Sequence, residues 1–326
     1  MAETMQAIII PSFGGPDVLT YSTVPKPSPV QGEVLVHVHA FGVNHAEMHM
    51  RRGEWDEWNP ISGLECVGTV AACPDGSIPE STKVAAVMGG MGRSRPGGYG
   101  EFVNVPIANV VPLETNLPWE ELAALPEVYS TAWSCIHTVL DVKKGETLLI
   151  RGATSTIGQA SLNLAVNAGA KVTATTRRTE RFEMLKKMGA VDAVLEKSDL
   201  GTTFPGKRFD KVLNLIGNRV LLESISLTKA GGRMLQAGWL GGLAPVKDFN
   251  PMVEMESGVH FSLYHSKVLG TEDFPMSQIP LQEIVKKIEN GEWDAKPTYV
   301  FEYTDIHKAH ALLDSHNAGG KIVVKR

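Results

Sequence analysis

The chain has 326 residues, 43% of them hydrophobic and 21% charged, with a formal net charge of -5. That length exceeds what one ordinary hydrophobic core covers, so two domains are expected, and the composition is that of a soluble globular protein. The mild negative charge gives no electrostatic reason to seek nucleic acid or an anionic membrane, no apolar run reaches the roughly eighteen residues of a bilayer span, and the three cysteines, Cys66, Cys73 and Cys135, are too scattered for a disulfide framework or a four-cysteine zinc lobe. The N-terminus lacks the charged and apolar regions of a signal peptide, so the expected location is the cytoplasm.

The first third reads as β-rich. Residues 7–10 form an apolar run, and Pro25, Pro27 and Pro29 force an extended connection after it. From 33 to 40, Val34, Val36 and Val38 alternate with Leu35, His37 and His39, the period of a strand with one face buried more deeply. Residues 67–72, 83–88 and 101–105 predict further short strands between Gly/Pro turns, which together suggest a barrel-like domain. Between them, residues 41–53 predict a turn into a short helix. His45 and His49 would share a face of that helix, which raises zinc. The order His-x-Glu-x-His is not a zinc-protease motif, and no thiolate stands beside it, so no metal is expected. Arg93 and Arg95 lie in a glycine-rich segment, 89–100, that reads as a mobile loop, and they receive no role.

A helix from Ala123 containing Tyr129 and Trp133 leads into the stretch that organises the rest. Leu148-Leu149-Ile150-Arg151 is a strand, Gly152 to Gly158 a turn of small and hydroxylic residues, and Ile157, Ala160, Leu164 and Ala168 stand at helical spacing. This is a βαβ unit that could seat a dinucleotide, with the pyrophosphate on the helix N-terminus. In the Gly-x-Gly-x-x-Gly register the chain has Ala153, Ser155 and Gly158. Only the third glycine is kept, and Thr154, Thr156 and Ile157 complete the cradle. The turn alone would also suit any α/β protein.

About 20 residues past the turn, a protein preferring NAD presents an acid to the ribose. This chain instead presents Thr176, Arg177, Arg178 and Arg181 at the end of a second strand, 171–176. A planar, permanently charged guanidinium suits a ribose 2′-phosphate, so the implied cofactor is NADPH; the alternative is that these are solvated helix-start charges. Thr179 is expected to cap the next helix, with Phe182, Leu185 and Met188 as its buried stripe and Gly189 as its end. Residues 193–195 and 211–216 are third and fourth strands. By the end-of-strand rule Gly217 approaches the cofactor. A strand opened by Gly231-Gly232-Arg233 closes at Gly238-Trp239-Leu240-Gly241-Gly242. Ile284 and Ile288 mark an amphipathic helix ending at Gly291, and 298–303 and 322–324 are the last strands.

Asn44 with Gly53, Ser62-Gly63-Leu64-Glu65-Cys66-Val67-Gly68, Gly97-Gly98-Tyr99-Gly100-Glu101, Ser130-Thr131-Ala132-Trp133, the turn at 152–158, and Ala318-Gly319-Gly320-Lys321-Ile322-Val323 run in the order of the medium-chain dehydrogenase/reductase superfamily. Over nearly its full length the chain most resembles the zinc-free quinone oxidoreductase branch, the relatives of zeta-crystallin. The resemblance implies an α/β fold: a Rossmann doubly wound parallel sheet domain plus a GroES-like β-barrel-type catalytic domain. Its boundaries would be 1–122 for the catalytic domain, 123–290 for the dinucleotide domain and 291–326 for the return to the catalytic domain, with the active site in the cleft between them.

Zinc-dependent alcohol dehydrogenases of the same superfamily place a cysteine ligand where this chain has Asn44 and a histidine where it has Leu64, although Glu65 remains. Neither replacement supplies the thiolate or imidazole a catalytic zinc takes. The implied reaction is hydride transfer from NADPH to a quinone or α,β-unsaturated carbonyl without a metal. Asn44 and Thr131 would lie at the nicotinamide edge, Thr131 being otherwise a helix cap or core hydroxyl; Lys321 would either reach the cofactor phosphates or stand as a solvated terminal lysine; and the loop of Gly238 and Trp239 would pass the nicotinamide, with Trp239 facing the substrate. Tyrosines of that branch are replaced here by His49 and Trp55. His49 thereby becomes a candidate proton donor, since imidazole titrates near neutrality, and Trp55, with Trp58, a candidate pocket wall. The family also suggests a homodimer built through the nucleotide domain. The rival readings are an enoyl-thioester reductase and an NADPH-binding sensor or crystallin-like protein with little turnover.

Overall fold

The computed structural model describes residues 3–326. Contacts divide the chain into two units, one running through Ser130 and resuming over Ser266–Arg326, the other comprising Thr131–His265.

The strands of the first unit before the break are β1 (Thr4–Ile9), β2 (Thr20–Pro25), β3 (Glu33–Val43), β4 (Glu65–Ala72), β5 (Lys83–Val87), β6 (Phe102–Pro106) and β7 (Val110–Pro112). The second unit holds β8 (Thr147–Arg151), β9 (Lys171–Thr176), β10 (Asp192–Leu195), β11 (Phe209–Asn214), β12 (Thr228–Gln236) and β13 (His260–Leu263). The chain then adds β14 (Tyr299–Glu302) and β15 (Ile322–Lys325) to the first unit.

In the first unit β1 pairs with β2, and the main sheet runs β14-β15-β3-β4-β5-β7, with β6 on β3. The long β3 is the hub because it pairs with β15, β4 and β6 in turn. Its alternating valines face a core of Val34, Val36, Val38, Phe41, Val84, Val103 and Val105, closed by Ile306, Ile322 and Val324. β2, β7 and β13 had no clear apolar period in the sequence; β2 alternates half-buried with exposed residues, and β13 is mostly exposed.

The second unit is a six-stranded sheet ordered β10-β9-β8-β11-β12-β13, and all of its pairings are parallel. Counted within the unit, the order is 3-2-1-4-5-6, the doubly wound arrangement in which the sense of winding reverses between β8 and β11. Ligands of such sheets bind outside the carboxyl ends of the strands at that reversal. Leu149, Phe209, Val212 and Met234 form one side of its core with Leu221 and Ile225.

Three expectations change. The helix expected from Ala123 is a single turn, Trp119–Leu122, followed by Pro126–Trp133 and then wider π-type turns over Ser134–Val139. The proline disfavours helical backbone at the residue before it and suits a first turn. Thr179 does not cap the next helix. It opens a 3-10 turn, Thr179–Arg181, its hydroxyl meets Glu180 at 3.3 Å, and Phe182–Lys187 follows without a side-chain cap. Of the expected stripe only Leu185 is fully buried, while Phe182 and Met188 are half-buried. Finally, the helix Leu281–Glu289, expected within 123–290, belongs to the first unit. Gln282 and Glu289 accept hydrogen bonds there from the backbone N–H groups of Glu114 and Asn116, both at 2.7 Å.

Candidate active site

In the first unit, the helix His45–Arg51 starts directly after β3. Glu47 turns back on that start and is fully buried. Its carboxylate accepts the Asn44 N–H at 2.9 Å, the Leu64 N–H at 3.1 Å and the Asn44 Nδ2 at 3.3 Å. Burial pushes the Glu47 carboxyl up to about 7, and the surrounding amide donors pull the other way. Glu65, at the start of β4, and Lys321, just before β15, are 1% and 4% exposed. The Lys321 ammonium lies 2.5 Å from Glu65 Oε1 and 2.6 Å from Asn44 Oδ1. Glu65 Oε2 accepts from the Glu127 N–H at 2.8 Å. Asn44 Nδ2 donates to Glu65 at 3.1 Å as well as to Glu47. Its amide is therefore committed to two carboxylates and an ammonium.

One turn on, His49 donates through Nδ1 to Glu54 and stacks on Trp55, ring centroids 5.3 Å apart and planes 13° from parallel. The Arg93 guanidinium lies 5.0 Å from the same indole. His45 instead stacks on His316 at 5.7 Å; burial pushes His45 down to about 4, reinforced by His316, His49 and Lys321.

The two histidines thus have separate partners, and the described residues contain no group of three metal donors. The donor chemistry at Asn44 and Leu64 is an amide and an aliphatic chain, and Glu65 is already neutralised by Lys321. These residues do not fit a catalytic zinc.

In the second unit, the turn after β8 is drawn tight by Ser155, which caps the helix Thr156–Asn167. Its hydroxyl accepts from the Gly158 N–H at 3.2 Å and donates to the Gly152 carbonyl at 2.8 Å. A Cβ on Gly158 would stand 2.5 Å from that carbonyl and 2.7 Å from Ala153 Cα, which explains why this glycine alone is kept. Below, the Gly152 N–H donates to Thr175 Oγ1 at 3.0 Å, Thr175 donates to Glu196 at 2.5 Å, and the buried Arg151 pairs with Glu196 at 2.6 Å and Glu223 at 2.8 Å. Thr154 and Thr176 face each other, hydroxyls 3.5 Å apart.

Beyond Thr176, Arg177 and Arg178 are exposed and Arg181 half-buried. Among the described residues none of them has a carboxylate within ion-pair distance. After β11, Asn214 Oδ1 accepts the N–H groups of Ile216 and Gly217, both at 2.9 Å, while its Nδ2 donates to the Gly217 carbonyl at 3.0 Å. Gly217 has φ +100, and a Cβ there would be 2.8 Å from Trp239 Cα. Gly217, Gly238 and Trp239 therefore meet beyond the carboxyl ends of β11 and β12. This small-residue cradle, with Thr156 and Ile157 on the first helical turn, fits a dinucleotide.

Thr131 is 3% exposed. The structure joins Asn44 to Lys321, His49 to Trp55, the turn to Thr176, and Gly217 to Trp239. The loop over 89–100, read as mobile, is instead tied down, since the N–H groups of Arg93, Ser94 and Arg95 all donate to the Gly90 carbonyl at 3.0–3.1 Å. Glu47, Glu54 and Asn214 were missed by sequence reasoning. Asn44-x-x-Glu47 is the pattern of a capping box and would have revealed the first; nothing local announces the other two.

Comparison with known proteins follows this division. Residues 30–115 match the alcohol dehydrogenase GroES-like domain, and residues 156–279 match the family described as zinc-binding dehydrogenase. The chain belongs to the medium-chain dehydrogenase/reductase superfamily. The second match begins on the helix after β8, takes in β9 to β13, and includes neither Asn44 nor Leu64. Within the superfamily the chain sides with the zeta-crystallin-like quinone oxidoreductases. The quinone oxidoreductase of Rattus norvegicus is 28% identical over 98% of this chain and 96% of its own. The lovastatin diketide synthase mokB of Monascus pilosus is 29% identical over 89% of this chain but 12% of its own. The crystal structure of AibC aligns with a TM-score of 0.82 at 25% identity, covering 99% of this chain and 96% of that one. As a member of this superfamily the chain is an oxidoreductase dependent on a pyridine nucleotide.

Proposed function

We propose that the chain reduces a quinone or an α,β-unsaturated carbonyl with NADPH and without a metal ion. The observation that carries the reading is the Lys321 ammonium, held by Asn44 and Glu65, which leaves no anionic donor set for a Lewis acid. Without one, an alcohol hydroxyl has nothing in this network to acidify it. An electron-poor alkene or quinone needs only to be held and have its developing oxyanion met.

Bound NADPH would supply the hydride. The Gly152–Gly158 turn, with Ser155, Thr154 and Thr156, would hold its pyrophosphate, and Gly217 and Gly238 would leave room beside it. Arg177, Arg178 and Arg181, free of carboxylate partners among the described residues, support recognition of the 2′-phosphate. On the first unit, Glu54 accepts from His49 Nδ1, so a protonated His49 would offer its Nε2 proton to the enolate or hydroquinone oxygen. The likeness to a segment of a diketide synthase favours an alkene on an acyl thioester as the second acceptor class. We place the protein in the cytoplasm as a homodimer; the open edge at β13, with Phe261 39% and Leu263 55% exposed, supports pairing through the second unit.

The test is NADPH and NADH oxidation with a panel of quinones, enones and enoyl thioesters, before and after chelation. Turnover that survives chelation is expected. Arg177→Ala and Arg181→Ala should weaken NADPH relative to NADH by about 1.5–3 kcal/mol for whichever arginine makes the charged hydrogen bond. Equal losses for both nucleotides would remove the arginines from the reading, and silence with every acceptor would leave only a sensor.

A further inference from the structure

Arg93 is a cation with too few partners for its position. Its side chain is 14% exposed, its Nη1 reaches Glu57 only at 3.5 Å, and its Nε is buried without any hydrogen-bond acceptor. Glu57 does not belong to Arg93 alone. Its other oxygen takes Lys267 Nζ at 3.1 Å, and its side chain is 56% exposed. Two cations thus share one well-solvated carboxylate; the other acid acting on Arg93, Glu47, is itself pushed toward its neutral form by burial, so one positive charge is left over.

This cation is held in place rather than floating. Three N–H groups from Arg93 to Arg95 converge on the Gly90 carbonyl, and the Asn59 N–H donates to the Gly92 carbonyl at 2.9 Å. The guanidinium lies over Trp55, whose indole also stacks on His49. The imidazole and the guanidinium are thus both neighbours of one indole.

We propose that the physiological acceptor carries a carboxylate in addition to its reducible double bond, and that Arg93 receives it. The inference rests on the reductive reading above and narrows its substrate class. A guanidinium pairs with a carboxylate in a planar, two-point fork, and a preorganised one loses less freedom on binding. The surplus of a single charge suits a monoanion rather than a phosphate dianion.

The test compares trans-4-oxo-2-pentenoate with its methyl ester, two enones that differ in the anionic group. NADPH oxidation is measured with both for the wild-type protein, Arg93→Gln and Arg93→Lys. The ratio of kcat/KM for acid over ester should fall at least tenfold in R93Q, through KM, and recover in part in R93K. A ratio in R93Q equal to that of the wild type overturns the proposal. If neither compound is reduced, the reductive reading fails on its own, and calorimetric titration of the NADP-saturated protein still decides the site. Acid binding weakened at least tenfold by R93Q upholds the anion site; equal affinity for acid and ester, or no effect of R93Q, refutes it.

Discussion

Leu64 serves the site through its backbone alone. Its N–H anchors Glu47 at 3.1 Å, and its side chain is 2% exposed in the packed interior. Lys321 then does electrostatically what a bound cation would do, satisfying Glu65 within a buried pair. Such a pair is costly to split, because removing one partner strands the other, at about 3–5 kcal/mol. With the ammonium and the Asn44 amide engaged there, the proposed reduction would take its proton at the reacting oxygen from His49. We expect His49→Gln to lower kcat by about 10²-fold, within the usual range for a positioned acid, and to flatten the dependence of kcat on pH between 6 and 9. Glu54→Gln should reproduce part of the loss, since it weakens the acceptor that orients the ring. A His49→Gln enzyme with wild-type turnover across that range would exclude the imidazole from proton transfer.

The turn and helix after β8 show how an imperfect motif can still be a sound element. Two of the three fingerprint glycines are replaced, yet Ser155 gains a cap by its replacement, and Ala153 is small enough to be fully buried. Ser155→Ala should cost about 1 kcal/mol by loss of that cap. Gly158→Ala should cost more, about 1–3 kcal/mol, because its Cβ would press on backbone atoms that cannot yield, and it should weaken both NADPH and NADH. Urea unfolding and nucleotide titration of the two variants would check the order; a Gly158→Ala protein as stable as Ser155→Ala would contradict the packing argument. The strands β3, β8 and β9 were legible in the sequence because their side chains alternate or run apolar against a core. Short β7 and exposed β13 were not, because pairing rather than burial makes them strands. The same limit applied to the site. Asn44 and Lys321 stand 277 positions apart, and the register of β15 on β3, not any local pattern, brings them together. Arg93 was visible as a residue but not as a constrained cation, since its restraint comes from backbone bonds to Gly90.

At the scale of the whole molecule, the buried His310 and Glu47 and the half-buried His45 of the first unit bear on how stability responds to acid. His310 accepts from Arg51 Nε at 3.2 Å and meets the Tyr99 hydroxyl at 2.8 Å. Burial, with the Arg51 charge beside it, pushes it down to about 3 from an ordinary 6.5. His45 is likewise pushed down to about 4, mainly by burial. Each histidine is neutral when folded and protonated when unfolded between 6.5 and its folded value, so each removes stability as pH falls through that interval. Glu47 works in the opposite direction. Its folded value of about 7 exceeds the ordinary 4.5, so between those limits the folded chain holds a proton the unfolded chain releases, and stability is lost as pH rises. Counting these three groups, between roughly pH 6 and 5 the unfolded state binds about 0.9 proton more than the folded state, a contribution of about 1.2 kcal/mol lost per unit of acidification. Glu47→Gln deletes the opposing group and should steepen that contribution to about 2.4 kcal/mol per unit over the same interval. Unfolding free energies from urea titrations at pH 5.0, 5.5 and 6.0 on both proteins would decide it: parallel slopes would mean that Glu47 is ionised in the folded chain, its charge carried by the three amide donors that surround it.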